Sequence, residues 1–280
     1  MLKSLNTGAI GVKADLATAA QMAKKYGFDG VHVSIQEVAA LGVGPAKDAL
    51  AQAGVVAAAF SLPVDCYGPE AKFAESLAGL PALCKVAREM GMTRTSTWMP
   101  SWHDELDWDA NWAFMRDRMS RSAAVLADYG IRFGIEFLGP QTLYAGHKYV
   151  FIHSMADMLK LCAEIPSGNA GLLLDAWHWY TGGGAWTDLA VLKDEEIVDV
   201  HVNDAPPGVP IEKQLDNVRT LPGETGVIGI PRFLKTLAQI GYTGPVMVEP
   251  FSARVNAMPP EEAVKATGEA LNAVWREAGL

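Results

Sequence analysis

The stretch LLLDAWHWYTGGG, residues 172–184, brings a carboxylate and an imidazole, Asp175 and His178, to the end of an apolar run. Three leucines belong in a core, whereas the residues after them can do chemistry. Three further apolar runs finish in the same manner: GIEF in Glu136, VDVHVND with His201, and VMVE in Glu249. Carboxylates with an imidazole form a ligand set for a divalent cation. Without one, converging carboxylates repel each other and raise each other's pKa values. Oxygen-rich coordination with one imidazole suits Mn2+, Mg2+ or Co2+, and Zn2+ also accepts it. Ligand type alone does not choose among them, and one Mn2+ is the expectation carried forward. A cation with two open positions chelates adjacent oxygens of a polyol or hydroxyketone and, as a Lewis acid, stabilises an enediolate.

Each residue taken singly has a plainer role. An acidic residue at a strand end caps the next helix or anchors a loop, and a strand-end histidine is often a hydrogen-bonded core residue. Four ligand types at the same position of four successive strands would need four such coincidences, so a metal site over Glu136, Asp175, His201 and Glu249 is expected.

The elements that must carry these residues alternate along the chain. Apolar, β-rich runs fall at 6–12, 29–35, 54–62, 92–98, 131–137, 170–176, 197–204 and 244–251. Amphipathic segments lie between them, with Leu16, Ala19, Ala20 and Ala23 on one face of the first and Met155, Met158, Leu159 and Cys162 on a later one. Several strands follow a glycine suited to end the preceding helix. Eight strand–helix units imply parallel pairing and a closed α/β (β/α)8 TIM barrel occupying residues 1–280 as one domain. The rival doubly wound sheet lacks a G-x-G-x-x-G after its first strand; GVGP (42–45) and TGGG (181–184) are weak glycine signals. In a barrel the four ligand strands are neighbours, and their C-terminal ends form the mouth. The segment from Met99 to Gly130 reads as a loop over that mouth, followed by a helix that begins near Asp109.

Composition removes other classes. The net charge of −9 with no basic stripe disfavours nucleic acid as a partner. No run of about 18 apolar residues exists to span a membrane, and the start MLKSLNTGAIGV does not read as a signal peptide. Cys66, Cys84 and Cys162 are far apart and odd in number, so reduced, buried thiols in a cytoplasmic protein are expected.

The motifs GIEFLGP, LLLDAWH, VDVHVNDAP, RTLPGETGVI and VMVEPF resemble the xylose-isomerase-like TIM-barrel superfamily, in its sugar isomerase/epimerase branch. That branch includes ketose 3-epimerases, hydroxypyruvate isomerases and inosose-processing enzymes. The resemblance covers nearly the whole chain and is weak over the first hundred residues. It implies metal ligation by Glu136, Asp175, His201 and Glu249, and contact of His178 with a substrate oxygen. It also implies proton removal and return by Glu136 and Glu249 on opposite faces of a carbohydrate, and a homo-oligomer. Some epimerases carry an arginine six residues after the histidine ligand; here Pro207 stands there, and Arg219 is the counterpart. His32 stands where relatives often carry a glutamate, as a substrate contact or a structural histidine, and Glu224 meets Arg219, reaches the pocket or is a solvated loop residue.

Aromatic residues gather in the expected mouth loops. Trp98, Trp102 and Trp177 are expected to line the pocket against sugar C–H faces, while Trp108 and Trp112 pack the rim. Such a mouth also suits a substrate bulkier than a hexose. His103 and His147 lie in loops nearby, as proton-transfer candidates or ordinary exposed histidines. The alternatives to an isomerase or epimerase are a lyase on the same barrel (inosose dehydration or glycoside cleavage) and a sugar-binding barrel without turnover. Related metal-dependent endonucleases use histidine-rich sites and basic loops, which this chain lacks.

Overall fold

Eight short parallel strands close on themselves in the computed structural model, which describes residues 1–280. They are β1 (Leu2–Leu5), β2 (Gly30–Val33), β3 (Val56–Ser61), β4 (Arg94–Met99), β5 (Arg132–Phe137), β6 (Ala170–Asp175), β7 (Ile197–Val202) and β8 (Pro245–Val248). Each strand lies beside its neighbours in sequence, and β8 returns to β1. Helices cover the outside, as a parallel sheet requires on its outer face. Those at Leu16–Lys25 and Trp108–Ala127 start where Asp15 and Asp107 accept hydrogen bonds from the backbone N–H of Thr18 and Ala110. The expected inner face of the first helix is buried as a set. In the helix Met155–Ala163, Leu161 is buried and Leu159 only packs at the edge. No helix is long and apolar enough to cross a membrane.

Two expectations need correction. The first strand is Leu2–Leu5, not 6–12. Asn6 there makes a turn, its Oδ1 accepting the N–H groups of Gly8 and Ala9, and Gly11 closes it at φ 71°. The apolar look of 6–12 thus belongs to a mouth loop whose Ile10 and Val12 pack inward. The segment after β4 is more than a loop: Trp102–His103 pairs antiparallel with Tyr149–Val150, forming a two-stranded ribbon.

Side-chain alternation along the strands decides what enters the barrel. Trp98 is paired with Glu136, Asp175 with His201 and Met247 with His201, so strand ends of matching parity aim at one volume. Lower down, Ser96 donates to Asp199 inside the barrel at 3.2 Å. At the closed end Arg94 and Arg132 donate to the carbonyls of Ile197 and Val198. Polar groups therefore seal the floor, and the carboxylates collect at the mouth.

The long connection after β7 carries Arg219, and one residue anchors it. Asp204 is fully buried and accepts four backbone N–H groups, from Ala205, Thr225, Gly226 and Ile228, at 2.7–3.2 Å. Its backbone exchanges two 2.9 Å hydrogen bonds with Thr220, beside Arg219. Asp204→Ala leaves those donors without a partner, and the expected loss is about 3 kcal/mol of stability in urea unfolding. Hydrogen exchange over 205–228 should rise more than elsewhere.

Candidate metal centre

Glu136, Asp175, His201 and Glu249 each present a ligand atom at the mouth, all within 4.8 Å of one another. His201 Nδ1 lies 3.8 Å from Glu136 Oε1 and 3.5 Å from Glu249 Oε2. Glu136 Oε1 and both His201 ring nitrogens are buried without a hydrogen-bond partner. Buried polar atoms left alone are costly, and here they face one another. A divalent cation is the partner that suits a donor set of three carboxylates and an imidazole.

The local electrostatics show the same tension. Burial and the neighbouring Glu249 carboxylate push Glu136 well above the usual carboxylate range. Burial also raises Asp175, against the opposing pull of Arg219. Burial would raise Glu249 too, but His201 and Arg219 outweigh it and hold it at about 2. The His201 imidazole is pulled down by burial and, more strongly, up by Glu249 and Glu136, to about 10.

Arg219 is the built-in counter-charge. Its side chain is fully buried, and Nη1 lies 2.8 Å from Asp175 Oδ2 and 3.2 Å from Glu249 Oε2. Nη2 donates to Asp216 Oδ1 at 2.8 Å. The Phe251 ring covers the guanidinium at 4.5 Å. Phe251 is the one non-glycine residue with positive φ, 34°, and such strain persists where surrounding contacts hold it.

His178 stands beside this group, in the short helix Ala176–Thr181 that follows Asp175. Asp175 Oδ1 caps that helix, accepting from the Trp177 N–H at 2.7 Å, so its capping and site roles coexist. The backbone N–H of Gly139 donates to His178 Nδ1 at 3.1 Å. Burial, with Arg219 and His201 nearby, pulls this imidazole well below its usual range. The neutral ring therefore carries its proton on Nε2, which lies 3.3 Å from Arg219 Nη2. Two donors stand side by side, facing the cavity. No side chain is tolerated at Gly139, where a Cβ would lie 2.3 Å from the His178 carbonyl oxygen.

A cavity of about 420 Å³ opens over the cluster, lined by Glu136, His178, Arg219, Glu249, Trp98 and Trp102 among others. Trp177, expected on this wall, is fully buried instead and packs 5.3 Å from the Arg219 guanidinium. The helix that starts at Ala176 turns its ring back into the core. Trp102 is stacked on His147, which Asp104 holds, and His103 Nδ1 accepts loop N–H groups. Glu224 pairs with Arg254 away from the cluster. His32, on β2, faces Ser61 of the adjacent strand β3 at 3.1 Å. Burial, then His201, lowers it to about 4. The three cysteines are free and buried.

Two residues of the site, Asn203 and Asp216, escape the motif reading. Asn203 donates to Asp175 Oδ1 at 3.0 Å and shares the strand parity of His201, which is a legible signal. Asp216 sits in an irregular loop, where no periodicity marks it, whereas Phe251 belongs to the aromatic residues expected in the mouth loops.

A family model described as a xylose isomerase-like TIM barrel matches residues 20–274. An inosose isomerase of Halalkalibacterium halodurans is 26% identical over 147 residues, which cover 52% of this chain and 49% of that protein. An inosose dehydratase of Klebsiella pneumoniae is 33% identical over 152 residues, 48% of this chain and 50% of the relative. The chain thus spans about half the length of the curated relatives it matches. A solved xylose isomerase domain protein from Alicyclobacillus acidocaldarius superposes with a TM-score of 0.87 at 27% identity, covering 100% of both chains.

Two outcomes follow from the charge balance. Mn2+ at a hundred times its Kd should stabilise chelator-treated protein by about 2.7 kcal/mol in thermal melts, and His201→Ala should lose most of that gain. Arg219→Met leaves buried carboxylates uncompensated, with an expected loss of about 3–5 kcal/mol in urea unfolding of chelated protein. Saturating Mn2+ should shrink that loss.

Proposed function

The chain belongs to the xylose isomerase-like TIM-barrel family, and we propose that it is a divalent-metal-dependent sugar isomerase or epimerase that moves a proton at a carbon beside a carbonyl. The observation that carries this reading is the placement of Glu136 and Glu249. They stand on β5 and β8, with β6 and β7 between them, so their carboxylates approach the same volume from two sides of the mouth. Glu136, Asp175, His201 and Glu249 would hold the cation, with Mn2+ as our first assignment. When bound, a cation there supplies positive charge to a carbonyl oxygen and so acidifies the adjacent C–H.

The rest belongs to the chain's own side chains. One glutamate accepts the proton and the other returns one to the opposite face, each within reach of a carbon held in the cavity. The His178 Nε2–H and the Arg219 guanidinium hold and orient substrate oxygens. Asp216 fixes Arg219, and Asn203 fixes Asp175. Trp98 and Trp102 flank the cavity and keep water from the reacting carbon.

A lyase is the second reading, favoured by the match to an inosose dehydratase over half of the chain. Both readings begin with the same proton removal and part at the next bond. Incubation in deuterated water with Mn2+, followed by mass measurement, separates them: exchange with no group lost marks isomerisation, and loss of water or an aglycone marks elimination. Glu249→Gln should reduce exchange by about 10²–10⁴-fold. Unimpaired exchange in that variant would sink the two-glutamate mechanism, and metal analysis of gently purified protein checks the Mn2+ assignment.

A further inference from the structure

The mouth holds more than the cavity over the carboxylates, and its two sides differ in chemistry. An inner chamber of about 240 Å³ shares Glu136, Glu249 and Trp98 with the outer one. It shares Asn6, His32 and Ser61 with a third chamber of about 320 Å³ beside β1 and β2. Small-ligand sites typically measure about 300–1,000 Å³, so the outer and far chambers each reach the size of such a site. The carboxylate pair sits where the outer and inner chambers meet.

The far side offers hydrogen bonds. The Asn6 amide, the His32 ring and the Ser61 hydroxyl border both the inner and the far chamber, and Gln36 and Glu37 lie beyond. On the outer side, the walls beyond the carboxylates, His178, Arg219 and Asp216 are Trp98, Pro100, Trp102, Leu138, Leu143 and Phe251. Two indole N–H groups are the only hydrogen-bonding side-chain groups among those six. Trp98 and Phe251 remain 49% and 36% exposed. Apolar faces left open around a cavity mark a contact site. A hydroxyl moved from water against such walls finds no replacement partner, and that is unfavourable.

We propose that the substrate has two unlike parts: a hydroxylated ring directed towards Asn6, His32 and Ser61, and an aryl or alkyl substituent seated against Leu138, Leu143 and the indoles. This rests on the proposed proton transfer at Glu136 and Glu249, which sets the carbonyl at the junction. In a simple ketose, joining a substituent at the anomeric carbon consumes the carbonyl. The substrate class is therefore a ring ketone, a cyclic keto-sugar whose substituent leaves the carbonyl free.

The test uses the full chain loaded with Mn2+ and two probes, the methyl and phenyl glycosides of one hexopyranos-3-ulose. Their Kd values are read by calorimetry and solvent-deuterium incorporation by mass spectrometry. The phenyl compound should bind about tenfold or more tightly, and Leu143→Asn or Leu138→Asn should reduce that ratio by about threefold or more. Equal affinities, a tighter methyl compound, no binding of either, or a ratio untouched in both variants overturns the inference. A phenyl preference without deuterium uptake leaves the two-part substrate standing and removes the proton-transfer reading, and the ring-ketone assignment with it. Exchange in both compounds at equal affinity does the reverse.

Discussion

Everything at the mouth depends on one electrostatic conflict: three carboxylates forced into a volume less than 5 Å across. Like charges at that distance in a buried site cannot all stay ionised without a counter-charge. The fold supplies one in Arg219, which reaches Asp175 and Glu249 from the loop after β7. It makes no hydrogen bond to Glu136, whose Oε1 stays unpartnered beside the His201 imidazole at 3.8 Å. The cluster is therefore compensated on one side and open on the other. The open side, where His201 Nδ1 lies between Glu136 and Glu249, is where a cation would relieve the remaining repulsion.

Holding such a cluster requires stiffness from elements that do no chemistry. The barrel wall delivers it through register: neighbouring strands pair so that Asp175 meets His201 and Glu136 meets Trp98. A slip of one residue would turn each of these side chains outwards. The loops need separate anchors, because they lack a ladder. Asp204 gathers four backbone donors for the loop bearing Arg219, and Gly139 lets the β5 loop approach the His178 helix closely enough to set its tautomer.

This division explains what the sequence made legible. Strand ends carry a period of two and a boundary, so Glu136, Asp175, His201 and Glu249 could be read as one set, and the barrel followed from the alternation of strands and helices. Trp177 was misplaced because a one-residue step into a helical turn reverses its direction, and nothing in AWHWY announces that turn. The first strand was misplaced for a related reason: LKSL is short and half polar, since Ser4 enters the barrel while Lys3 reaches the Asn272 amide outside. Asp216 is brought to the mouth by loop conformation and Leu143 by the short helix Gln141–Tyr144, where pattern carries no information.

Arg219 also limits how strongly the site can hold a cation. A guanidinium 2.8 Å from Asp175 Oδ2 competes for the same carboxylate charge, so the compensation it supplies would be unavailable to a metal. In return the guanidinium offsets carboxylate repulsion from within the chain itself, and it lines the cavity beside His178. A site built only from ligands would bind its cation more tightly and would have to assemble around it. Here part of the compensation is built into the chain, and the group that supplies it also lines the cavity.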